Sequence, residues 1–319
     1  MEFFVLSCAA VDAGGGVYRY QLNENGAAKQ LSYFPCDRPM YAVKGENKLC
    51  VLLRAPFENE ESGYFEINYD LDESTATEWK GTRGVCACHL AVEGTDTYVV
   101  NYLSGNLVKN CSKERKHEGR GIHPKRQEAP HTHFVGLSPD KKHVLCCDLG
   151  LDTLFVYDRD LVPVAVAKVP AGYGIRHFVF AKDGNYVYAI NELVPSVSVF
   201  AYDDGDVRYV KTVEIPVEDT TSTAAAIRLS ADGKILYCSV RGENALYVFS
   251  VNDDELTLQQ KRSCEGRGPR DIYLLADRYL VSCNENSDNA AIFALNGANI
   301  GEKVSEIEAC KGVLCCLDR

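Results

Sequence analysis

The side chains in this chain with the means to do chemistry begin with two histidines in residues 129–152, APHTHFVGLSPDKKHVLCCDLGLD, where His131 and His133 precede an apolar run. A neutral imidazole suits general-base work near neutral pH, and a His-x-His pair also suits a metal. The cluster with most metal character is Cys86-Ala-Cys88-His89. In a strand, Cys86 and Cys88 share a face while His89 points away, which disfavours zinc. Arg176 with His177, Arg241 and Arg270 are candidates for holding an anion, and Glu192 and Asp148 supply carboxylates.

Elements must bring these distant residues together, and the sequence repeats one of them. Seven segments share a β-rich run, a polar turn and a second β-rich run; they start near residues 3, 49, 97, 143, 186, 235 and 279. The spacing of about 43–49 residues, with several short strands per unit, is that of propeller blades. A further run ending in an Asp-Gly-type turn precedes most segments, as in FVFAKDGN at 178–185, and a more polar strand follows them. The expected fold is all-β: a seven-bladed β-propeller, four antiparallel strands per blade, spanning 1–319 as one domain. The chain starts at what would be a second strand and finishes on GVLCCL at 312–317, which matches a first strand. That strand is expected to join the N-terminal blade and close the ring, leaving no open edge at the seam. The polar stretch 111–127 reads as a lengthened connection into blade four, not as a linker.

Composition narrows the partners. A net charge of −11 and a pI near 5.2 argue against nucleic acid and anionic membranes. An anionic ligand would need a local pocket of Arg and His. No run approaches a membrane span, and the N-terminal MEFFVLSCAA lacks the positive region of a signal peptide. Fourteen cysteines, mostly inside apolar runs and none spaced C-x-x-C, read as reduced core thiols in a cytoplasmic protein.

Alignment of the units puts Cys88, His133, Arg176 and Arg270 at one position opening the first strands. Asn101, Asp148, Asn191, Val240 and Asn284 then close the second strands, and Tyr102, Leu149, Glu192, Arg241 and Glu285 follow them. Antiparallel neighbours place all three rows on one face. Each residue also has a structural alternative. His131 or His133 would pack a loop, the arginines would pair with carboxylates across the mouth, and Glu192 would partner Arg176. The asparagines would brace turns through backbone hydrogen bonds.

The segments HPKRQEAPHTHFVGLSPDKKHVLCCDLGLDTLFVYD, GYGIRHFVFAKDGNYVYAINELVPSVSVF and GRGPRDIYLLADRYLVSCNENSDNAAIF, with CHLAV and NYLSGNL before them, resemble the propeller-type 6-phosphogluconolactonases. The resemblance runs from about residue 84 to 295. The same superfamily includes the carboxymuconate-lactonizing cyclases. The resemblance implies a catalytic set of His133, Arg176, Glu192 and Arg241. It implies a small anionic sugar lactone as substrate and no cofactor or metal. His131, His177, Arg270, Asn191, Asn284 and Asp148 are the expected substrate-binding residues. Ile175 stands where the family has Pro, and TSTAAA at 221–226 replaces a polar segment. The expected role of His133 is general base, with Glu192 orienting it or sharing the task. Arg176 and Arg241 would face the oxyanion; Arg270, with His131 or Lys125, would hold a phosphate. A lactonizing cyclase, a lactonase for another substrate, and a non-catalytic docking propeller are the alternatives.

Overall fold

A computed structural model describes residues 1–24, 26–54, 60–308 and 311–319. Twenty-eight strands form seven four-stranded antiparallel sheets. In six of them the strands follow chain order. In the seventh the C-terminal strand Val313–Asp318 pairs with Glu2–Ser7, from Phe3 opposite Asp318 to Ser7 opposite Val313. The expected ring closure is thus observed, with both chain ends built into one blade.

The apolar runs are continuous because each sheet is covered on both faces. Alternate residues of one strand serve two interfaces: Phe3 joins the cluster shared by blades seven and one, and Phe4 the cluster shared by blades one and two. Each neighbouring pair of blades has one such cluster, and Phe3, Phe4, Leu145, Phe200 and Phe293 in them are fully buried. Fully burying one such side chain contributes roughly 1.5–3 kcal/mol. Outer strands, such as Asp206–Glu214, are mostly exposed, which explains their polar composition.

The innermost strands are Pro39–Lys44, Ala87–Glu93, Thr132–Leu137, Ile175–Phe180, Thr223–Leu229, Pro269–Leu275 and Val313–Asp318. Every one shifts register against its neighbour near its start. Thr132 pairs with Asp148 but Phe134 with Cys147, so His133 is an extra, unpaired residue. The same bulge isolates Met40, Cys88, Arg176, Arg270 and Leu314, and spans Ala225 and Ala226 in blade six. A β-bulge bends its strand and re-aims a side chain. Here it turns one residue per blade toward the axis. Two residues earlier the backbone is left-handed in five blades, at Arg38, Cys86, Gly174, Gly268 and Gly312. At Gly174 (φ 68°) a Cβ would also come within 2.7 Å of Leu193. No helix among the described residues is long and apolar enough to cross a membrane.

Candidate active site

Two rings of side chains meet at the mouth of the axis. The first consists of the bulge residues. The second follows each second strand: Cys8, Arg54, Tyr102, Leu149, Glu192, Arg241 and Glu285. Backbone N–H groups of six of these, Cys8, Arg54, Tyr102, Leu149, Glu192 and Glu285, donate to the carbonyl two residues before the neighbouring bulge. Of the two rows suggested by the repeat, this later one faces the ligand space. Residues from both rings line a cavity of about 280 Å³, among them His133, Glu192, Arg241, Arg270, Tyr102 and Arg126. A larger cleft of about 930 Å³, between blades two and three at the opposite end of the strands, gathers Lys44, Lys80 and Glu66 at an open surface. It holds no comparable set of buried charges.

Glu192 is the electrostatic centre. Arg176 Nε donates to its Oε2 at 2.8 Å and Arg241 Nη2 lies 3.1 Å from the same oxygen, while Arg126 Nη2 donates to Oε1. Burial works against the charged carboxylate, yet Arg241, Arg176 and Arg126 hold its pKa well below the usual range. Arg176 is 2% exposed and anchored further, Nη1 donating to Ala225 O at 2.6 Å and to His177 Nε2 at 3.0 Å. Burial lowers this guanidinium to about 9, opposed by Glu192, so it stays protonated at neutral pH. Arg270 Nη1 lies 3.3 Å from Glu285 Oε2. Arg241 Nε is buried without a hydrogen-bond partner.

His133 is buried, and its Nδ1 has no partner. Burial first, then Arg176, pushes its pKa well below 6.5, so the imidazole is neutral in this cationic setting. One layer deeper, His177 (ring centroid 5.1 Å from that of His133) and His89 are likewise buried and neutral. His89 sits between Tyr41 and Phe134, and so faces the axis despite its parity with Cys88. The bulge at Cys88 explains why simple strand alternation misplaces it.

The structure lines one cavity with His133, Glu192, Arg241 and Arg270; Arg176 is buried behind Glu192, where it contacts His177 beside a small void that His133 and Arg270 also border. The structure turns four other candidates away. Asp148 accepts from the backbone N–H groups of His131 and Leu151 at 2.8 and 3.1 Å and from His117 Nδ1 at 2.6 Å. His131 donates to Tyr102 O at 3.0 Å, lies flat against the Tyr102 ring at 4.3 Å, and supports that residue from behind. Asn191 reaches Ser196 and Ser198, and Asn284 reaches the Cys264 carbonyl. All four are second-strand or loop residues in the regular pleat, where nothing re-aims them. Lys125 is exposed, its backbone N–H donating to His123 Nδ1 at 3.3 Å.

Sequence reasoning passed over Arg126 and Arg54. Arg126 lies on the polar insertion, where a charge run reads as a solvated loop. Arg54 follows the second strand of blade two, the position that Tyr102 and Glu192 hold elsewhere, and aligning that blade would have exposed it.

Seven blades surround an axis whose mouth gathers a neutral imidazole, a buried carboxylate and several guanidiniums. Comparison with known proteins gives the class. A family model described as "Lactonase, 7-bladed beta-propeller" matches residues 3–315. The 6-phosphogluconolactonase of Bacillus subtilis is 31% identical over a 251-residue alignment covering 72% of each chain. A crystal structure of a Lactobacillus plantarum protein superposes with a TM-score of 0.87 at 28% identity, covering 99% of this chain and 98% of that one. The periplasmic gluconolactonase of Pseudomonas aeruginosa has the same fold, with a TM-score of 0.87 at 23% identity over 99% of each chain. This chain belongs to the seven-bladed propeller lactonases, enzymes that hydrolyse lactones.

Proposed function

We propose that the protein hydrolyses 6-phosphoglucono-1,5-lactone to 6-phosphogluconate. The observation that carries the reading is a neutral, buried His133, its Nδ1 without a hydrogen-bond partner, whose side chain lines the same cavity as Glu192, Arg241 and Arg126. A lactone carbonyl at the mouth requires an activated water and a donor set for the oxyanion. His133 takes the proton from water as it adds to the carbonyl carbon, a contribution of roughly 10²–10⁴-fold. Arg241, preorganised by Glu192 with Arg176 behind it, faces the developing oxyanion; one such donor contributes about 10²–10³-fold. Collapse of the tetrahedral intermediate breaks the ring C–O bond, and the proton held on His133 goes to the leaving hydroxyl. Glu192, held ionised by its three arginines, serves as their counter-ion and leaves the base role to His133. Arg270 adds a cationic wall on the far side of the mouth. The relative from Bacillus subtilis supports the phosphorylated substrate, and with it a role in the oxidative pentose phosphate route. The many buried thiols, such as Cys146, Cys147 and Cys316, fit a reducing cytoplasm. The test is turnover of freshly prepared lactone above its spontaneous opening. His133→Asn should lose roughly 10²–10⁴-fold in kcat/KM; wild-type rates from that variant would refute the base assignment.

A further inference from the structure

Lys113–Lys116 of the polar stretch 111–127 form the outer strand of blade three, and the segment that follows is held by three buried side chains, His117 and Gln127 within it and His131 just beyond. Asp148 Oδ2 accepts from His117 Nδ1 at 2.6 Å, and Tyr157 OH donates to its Nε2 at 2.7 Å. Gln127, fully buried, donates to Leu149 O at 2.8 Å and accepts from His123 N–H at 3.0 Å. His131 stacks on Tyr102. A mere connection between blades needs none of this, since a surface loop is satisfied by water. None of the three anchors lines the cavity. What the insertion delivers there is Arg126, next to the Gln127 anchor.

Arg126 differs from the other two partners of Glu192. Its side chain is 37% exposed, against 2% for Arg176 and 18% for Arg241. Those two are also tied to the backbone carbonyls of Ala225 and Ala224, whereas the other contact of Arg126 is the Tyr102 hydroxyl at 3.4 Å. Arg126 takes Glu192 Oε1 alone, while Arg176 and Arg241 share Oε2. If Arg126 left, Glu192 would keep two guanidiniums and would not become a buried unpaired charge. A guanidinium fork matches phosphate oxygens as well as carboxylate oxygens, so the exchange preserves charge-assisted hydrogen bonds.

We propose that Arg126 determines specificity for a phosphorylated lactone by exchanging Glu192 for the substrate's phosphate. The proposal rests on the lactonase reading of the cavity. The probes are 6-phosphogluconate and gluconate, two open-chain acids differing only in the phosphate, titrated calorimetrically into wild type, Arg126→Gln and Arg126→Lys. Arg126→Gln should weaken 6-phosphogluconate by roughly 10–100-fold and leave gluconate within twofold. Arg126→Lys should fall between, because an ammonium supplies charge without the fork. KM for the phosphorylated lactone should rise in parallel, with kcat within threefold. Equal losses for both ligands would make Arg126 a support for Glu192 and overturn the proposal, as would no loss or an absence of phosphate preference in wild type. Lactone turnover by wild type is a separate readout. An active, phosphate-preferring enzyme unaffected by Arg126→Gln refutes this assignment alone, whereas an inactive wild type refutes the function.

Discussion

Three neutral histidines stacked around one axis make stability sensitive to mild acid. His133, His177 and His89 are buried, and burial, reinforced by Arg176, lowers each pKa well below 6.5. An unfolded imidazole titrates near 6.5, so between pH 7 and 5.5 the unfolded chain takes up protons that the folded one refuses. With folded-state values depressed, the stability these groups leave intact is fully present above about 6.5 and is lost as pH falls toward the folded values. Each histidine that stays neutral then withdraws about 1.2 kcal/mol over that interval, and the three together roughly 4 kcal/mol. For 319 residues, that loss corresponds to a melting temperature lower by about 6 °C. Urea unfolding at pH 7.0 and 5.5 measures it, and the double variant His89→Gln/His177→Gln should show roughly a third of the acid loss. A wild-type loss below about 1 kcal/mol, or a double variant with the full acid loss, would refute the placement of these imidazoles in a dry, cationic axis.

The same displacement predicts that kcat/KM keeps its plateau through the ordinary histidine range and falls only at lower pH, as a pH–rate profile would show. Glu192→Gln should cost about 3–5 kcal/mol by leaving buried guanidiniums uncompensated, and added phosphate should restore part of it, both measurable by thermal melts. Asp148→Ala should cost roughly 2–4 kcal/mol in urea unfolding and raise KM for the phosphorylated lactone with kcat nearly unchanged, because Asp148 braces, through His117, the segment that carries Arg126. Gly174→Ala should destabilise by about 1–3 kcal/mol and lower kcat, since a Cβ there meets Leu193 two residues before Arg176.

Sequence alone was enough for the architecture. The repeat length, the continuous apolar runs and the terminal GVLCCL strand follow from local rules: a strand buried on both faces must be apolar throughout, and a ring must close. It also carried His133, Arg176, Glu192, Arg241 and Arg270, because equivalent positions in repeats are equivalent in space. What it did not carry was direction. His131 and His133 lie two residues apart on one strand start, yet one supports Tyr102 and the other opens on the cavity. Asp148 and Leu149 are neighbours, and neither Asp148 nor Asn191 reaches the mouth although Glu192 does. The deciding feature is the bulge that opens every inner strand, a register shift that depends on pairing with a second strand and leaves no mark in residue types. Arg126 shows the other limit. Its place at the mouth depends on His117, Gln127 and His131 holding a charged segment against blades three and four, through contacts to Asp148, Leu149 and Tyr102 that lie far from it in sequence.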